Sequence, residues 1–190
     1  MLVVKHVLLP LMLAASLALG LAAQEVARPN PHEQPETGAS TPAGETGCEG
    51  VVDYYRDLNR AIFRADTFFD FLADESATFD DLSEREARDI VDSGEELIED
   101  LEAMDAPAAY AEGHEGIIAL MQINVDFVSF YSLDSSSVPN LNDFDAALEQ
   151  IYRGEVALAE ACPDEVEEVG GYIFEDPAVL EDELDIEPAP

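Results

Sequence analysis

In four stretches of the chain, apolar residues recur at alternating intervals of three and four, the period of a buried helix face. The first stretch covers residues 49–74. Val51, Tyr55, Leu58, Ile62, Ala65, Phe69 and Leu72 form its stripe, and Tyr54, Ala61 and Phe68 widen it. The second covers residues 84–104, with Ala87, Ile90, Gly94, Leu97, Leu101 and Met104 in register. Ser83 and Glu86 read as a capping box at its start. Gly94 is unfavourable inside a helix, by about 1 kcal/mol relative to Ala, and close approach of a neighbouring helix would account for it.

The third stretch, residues 107–133, starts with Pro107 in what reads as a first helical turn. The fourth, residues 143–162, has Asn142 as its expected N-cap and Phe144, Leu148, Ile151, Leu158 and Cys162 on its face. Pro163 marks its end. Only Asp105 and Ala106 separate the second and third stretches, and the other links are short and polar. The fold class expected is all-α: an antiparallel, up-down-up-down four-helix bundle over residues 48–163.

What flanks the bundle differs in kind. Residues 1–23 hold the sole Lys, Lys5, then an apolar run ending in small residues, the layout of a secretory signal peptide. The run is short for a bilayer-spanning helix, so no stable membrane span is expected once it is removed. Residues 24–47 hold four Pro, three Gly and no aromatic residue, and are expected to be a disordered spacer. Residues 164–190 carry 11 acids and no base. They are expected to be an acidic, mostly disordered tail, in which Tyr172, Ile173 and Phe174 form an apolar patch able to dock on the bundle.

An up-down-up-down path returns the end of the fourth helix to the start of the first. Cys48 stands at one of these positions and Cys162 at the other, and export would supply an oxidising compartment. A Cys48–Cys162 disulfide is therefore expected.

Charge narrows the function. The chain has 190 residues with 43 Asp and Glu against 8 Lys and Arg, so 8 − 43 = −35 with His neutral. This balance excludes a nucleic-acid footprint, which needs clustered cations. Arg56, Arg60 and Arg64 make the one basic row. The acidity suits either solvation in a saline medium or a surface for a cationic partner.

Candidate chemistry concentrates in the third stretch. Its apolar arc spans about 240°, far wider than one core contact requires. A partner protein, a small apolar ligand, a second copy joined as a homodimer through this helix, or the 172–174 patch could cover the excess. Tyr110, His114, Met121 and Asn124 are the candidate ligand or interaction residues. Asn124 lies at the centre of the arc, where its amide is expected to bond to a hydroxyl such as Tyr55 or Tyr152 or to a carbonyl, and serves as a packing-register device or as a polar anchor in a ligand pocket. His114 is the one His outside the flanking segments. With surface carboxylates it offers a metal-linked alternative, for copper or another cation, and Met104 and Met121 could add soft ligands.

No Glu-x-x-His, Cys-x-x-Cys-His, Gly-x-Ser-x-Gly, phosphate-binding loop, dinucleotide fingerprint or calcium loop occurs. No cofactor and no catalytic residue are expected. The sequence reads as a secreted or envelope-associated, non-catalytic helical binding or interaction module, with an enzyme the remote alternative.

Overall fold

A computed structural model describes residues 47–74, 77–133, 139–174, 177 and 180. The signal-like segment 1–23 and the spacer up to residue 46 lie outside these residues. Among those described, every regular element is helical and no strand occurs. The helices are α1 (Val51–Arg64), α2 (Asp66–Ala73), α3 (Glu84–Glu102), α4 (Ala111–Ser132), α5 (Leu141–Ala161) and α6 (Pro163–Glu168). Single 3-10 turns, Phe79–Asp81 and Ala108–Tyr110, precede α3 and α4. No described helix is long and apolar enough to cross a membrane.

The first stretch is two helices rather than one. Ala65 takes φ −87° and ψ 33°, outside helical values. Its N–H is shared between the carbonyls of Ala61 and Ile62, at 3.2 and 3.1 Å. Just beyond, the Asp66 carboxylate accepts the Thr67 N–H at 2.7 Å. Such local side-chain bonds compete with the helical ladder. The buried seam is also rotated by one position from its expected centre. Val51, Tyr54, Leu58, Ala61, Ala65, Phe68 and Leu72 are buried, whereas Tyr55, Ile62 and Phe69 flank the core.

Helix α3 begins as its sequence indicates. Ser83 Oγ accepts the Glu86 N–H at 3.3 Å, and the Ser83 N–H donates to Glu86 Oε2 at 2.9 Å. Gly94 also has the expected reason. A Cβ there would lie 2.4 Å from Val125 Cγ2 and 3.0 Å from the Phe68 ring. Two expected boundaries move. Pro107 is extended (φ −56°, ψ 142°) and sits before the 3-10 turn, with its carbonyl accepting the Tyr110 N–H at 2.8 Å. Helix α5 starts at Leu141, so Asn142 lies inside the first turn and Asn140 precedes the helix.

Helix α4 is the central element, packed by α3 on one side and α5 on the other. This placement accounts for its wide apolar arc. Buried residues run from Gly113 through Ile117, Leu120 and Val125 to Val128. Its C-terminal end is covered by an aromatic group in which Phe79 stacks on Tyr131 at 5.4 Å and meets Phe71 at 5.4 Å. The α4–α5 contact is unusually close. A Cβ on Gly154 would lie 2.4 Å from Gly113 Cα, and one on Gly116 would lie 2.7 Å from the Ala147 carbonyl.

Cys48 and Cys162 are joined, with S–S 2.06 Å and Cα–Cα 5.6 Å across 114 positions. In a chain-entropy account a loop this long is worth about 4–5 kcal/mol. Pro163, one residue beyond, opens α6 at the position where its missing N–H is harmless. The stretch expected to be mostly disordered thus begins with a helix. It then turns at Gly170 and Gly171 (φ 89° and 135°) and buries Ile173 and Leu180. Residues 181–190 lie outside the described residues.

Candidate functional site

Four polar side chains from four elements meet inside the protein, one to two helical turns below the disulfide. Tyr54 comes from α1, Tyr110 from the 3-10 turn, His114 from α4 and Glu155 from α5. All four are buried. The 3-10 turn is held against the chain next to Cys48, where the Ala109 N–H meets the Gly47 carbonyl at 3.5 Å. The glycines at 113 and 154 bring α4 and α5 close enough for Tyr110 to lie across both.

Glu155 is the hub. Its Oε1 accepts the Tyr110 hydroxyl at 2.7 Å and the Phe174 N–H at 2.6 Å. Its Oε2 accepts the Ile173 N–H at 3.0 Å. A carboxylate only accepts, so a cluster of donors is what a buried one needs. The segment after Gly171 therefore serves the interior with backbone amides as well as with Ile173.

The second pair is Tyr54 and His114, with Oη 2.8 Å from Nδ1 and the rings edge to face at 5.5 Å. The Leu101 backbone beside the ring favours its charged form. Which of the two groups donates follows the tautomer of the imidazole. The Tyr54 and Tyr110 rings, 5.8 Å apart, join the two pairs.

Burial dominates the electrostatics. It lowers the His114 pKa from its ordinary 6.5, against the Leu101 backbone and the Glu115 charge, which act in the opposite direction. Burial therefore favours the neutral imidazole. Burial first, and then the Glu155 charge, push both Tyr54 and Tyr110 well above the usual phenol value. At the centre Glu155 meets two phenols held protonated by burial and an imidazole whose neutral form burial favours, each engaged by a neighbour.

The four candidate residues from the sequence are all buried but do not form one site. Tyr110 and His114 meet through Tyr54. Met121 and Asn124 lie about 10 and 15 Å farther along α4, at 1.5 Å per residue. Met121 is packed in the apolar core. Asn124 Nδ2 donates to the Leu120 carbonyl at 2.7 Å within its own helix, and neither Tyr55 nor Tyr152 bonds to it. Its Oδ1 is buried without a hydrogen-bond partner. Such an atom costs about 1–3 kcal/mol.

Glu155 and the role of Tyr54 escaped the sequence reading. The signal for Glu155 was a gap. The α5 stripe steps 4, 3, 7, 4, and the missing position within the step of seven is residue 155. In a chain with 43 acids a core carboxylate does not stand out.

Among the described residues, metal-ligating groups do not gather around His114. The one cluster with ligand spacing among them is Cys48, Cys162 and Glu165. Its two sulfurs are bonded to each other and offer no thiolate.

No protein-family model, curated protein or solved structure matches this chain.

Proposed function

We propose that this chain is an exported, non-catalytic helical interaction module that meets a cationic partner through its acidic exterior. Its scaffold is an up-down-up-down four-helix bundle in which α1 with α2, α3, α4 and α5 are the rods. The neighbour relations of these helices and the disulfide between the beginning of the first rod and the end of the last support that topology. Export is supported by the signal-like run in residues 1–23 and by the disulfide, which belongs in an oxidising compartment.

One observation carries the reading: the exterior has no free cation among the described residues. Arg56 pairs with Asp53, Arg60 with Asp57, Arg64 with Asp100, Arg85 with Asp89, Arg88 with Glu84, and Arg153 with both Glu112 and Glu149. Without residues 1–23 the chain holds 7 Arg and 43 acids, so 7 − 43 = −36. Such a field attracts cations and repels polyanions. The apolar arc of α4 is covered largely by the chain itself, so it no longer calls for a partner. The metal-linked reading loses its anchor because the His114 ring is buried and its Nδ1 is engaged by Tyr54. The non-catalytic assignment rests on the polar centre, whose groups are buried and bonded to one another.

The test is titration calorimetry of the disulfide-closed protein with a short, capped peptide rich in Lys and Arg, at about 0.15 M salt, where the screening length is about 8 Å. The reading expects saturation at a defined stoichiometry. Unsaturable uptake, together with stability that rises steadily with salt, would instead favour acidity as solvation in a saline medium.

A further inference from the structure

Glu155 is the one carboxylate wholly withdrawn from solvent among the described residues. Its two oxygens are met by two consecutive backbone amides, Ile173 N–H on Oε2 and Phe174 N–H on Oε1. Two donors side by side on the two oxygens of a carboxylate reproduce the fork in which a guanidinium binds one. These donors come from a strap with its own hinge. Gly170 and Gly171 both have positive φ, and a Cβ at either would meet nothing within 4 Å. Beyond the hinge, the side chains of Ile173 and Leu180 are both buried.

We propose that Glu155 is a guanidinium-binding site that the strap keeps occupied, and that an arginine side chain of a partner polypeptide enters by displacing it. Opening the strap with nothing in its place would leave a buried carboxylate short of two donors, so an empty open state is disfavoured. A ligand that restores both donors and adds positive charge removes that obstacle. Arginine does so with a planar fork, whereas lysine brings a single point charge. Tyr110, anchored outside the strap, would keep its bond to Oε1. The apolar seats of Ile173 and Leu180 would favour aliphatic neighbours beside the arginine. The idea rests on the cationic-partner reading for the sign of the ligand, but it assigns a different place of binding.

The experiment uses the disulfide-closed protein and a capped tripeptide of arginine between two leucines, with a lysine counterpart and free arginine amide as controls. Ile173→Ala with Leu180→Ala removes the two buried apolar side chains while keeping both backbone amides that reach Glu155. The arginine peptide is expected to bind this double variant about tenfold more tightly than the parent, and about tenfold more tightly than the lysine peptide does. Glu155→Gln in the same background is expected to abolish that gain. Free arginine amide binding as tightly as the tripeptide would overturn the polypeptide assignment. If the Gln variant binds as well as the double variant, the Glu155 site is wrong while the acidic-exterior reading stands. A measurement without substitutions guards against misfolded variants: exchange of the Phe174 amide in the parent protein is expected to accelerate at saturating arginine peptide. Unchanged exchange would overturn the proposal.

Discussion

The Tyr110 hydroxyl lies 2.7 Å from Glu155 Oε1, and neither side chain has any exposed surface. The bond links the turn before α4 to the middle of α5, beneath the strap. Tyr110→Phe keeps the ring and removes one donor from a buried carboxylate. It is expected to lower unfolding stability by about 1–3 kcal/mol. The check is urea denaturation: a lower midpoint at an unchanged slope. A midpoint equal to that of the parent would mean that the hydroxyl is dispensable.

The same burial makes the phenols visible to alkaline titration. The chain has six Tyr, and two of them are held well above the ordinary value of 10.0. The unfolded chain releases these protons near pH 10 and the folded chain does not. Stability is therefore expected to fall as pH rises through about 10. Ultraviolet titration should show Tyr54 and Tyr110 ionising only together with unfolding. Early ionisation of all six would contradict the closed centre.

His114 shifts in the other direction. Its folded pKa is below the unfolded 6.5, so the unfolded state takes up the proton first as pH falls. The stability linked to neutral His114 is complete above about 6.5 and is lost as pH drops towards the folded value. Other groups titrate in that range, so the useful quantity is a difference. Parent and His114→Asn are expected to diverge most above pH 6.5 and to converge below it. A constant difference across the window would show that the imidazole does not titrate as described.

How far the sequence could be read depended on how each feature is encoded. The capping box at Ser83 and Glu86, the close approach at Gly94 and the Cys48–Cys162 pair were legible, because each depends on residue types at fixed offsets or on the topology of the chain. The break at Ala65 was not, since a shared N–H and an Asp66 side-chain bond interrupt a stripe that stays periodic across them. The centre of the first seam was displaced because Tyr54 and Tyr55 are equally apolar on paper. In the structure Tyr54 is set apart by its burial, its ring contacts with Tyr110 and His114 and its hydrogen bond to His114. Of the site, Tyr110 and His114 were found from the wide arc of α4. Glu155 was hidden among similar acids, and the strap amides leave no trace in side-chain identity.

The α4–α5 crossing gives a steric prediction. Gly154→Ala directs a methyl group at the Gly113 backbone, 2.4 Å away, where no side chain can yield. Gly94→Ala meets Val125 Cγ2 at the same distance, but a side chain can shift. Overpacking usually costs about 1–3 kcal/mol. The gain in helix propensity, about 1 kcal/mol, offsets part of it at both sites. Gly154→Ala is expected to be the more destabilising in thermal unfolding, and the reverse order would place the close contact elsewhere.

The central claim is that the start of the first rod and the end of the last are joined in an oxidising compartment. Peptide mapping by mass spectrometry, on protein recovered from its producing cells with free thiols blocked at lysis, tests it most directly. The account expects one cross-linked peptide pair containing Cys48 and Cys162, and an intact mass lower by two hydrogens than that of the reduced chain. Quantitative alkylation of both cysteines in folded protein would contradict it.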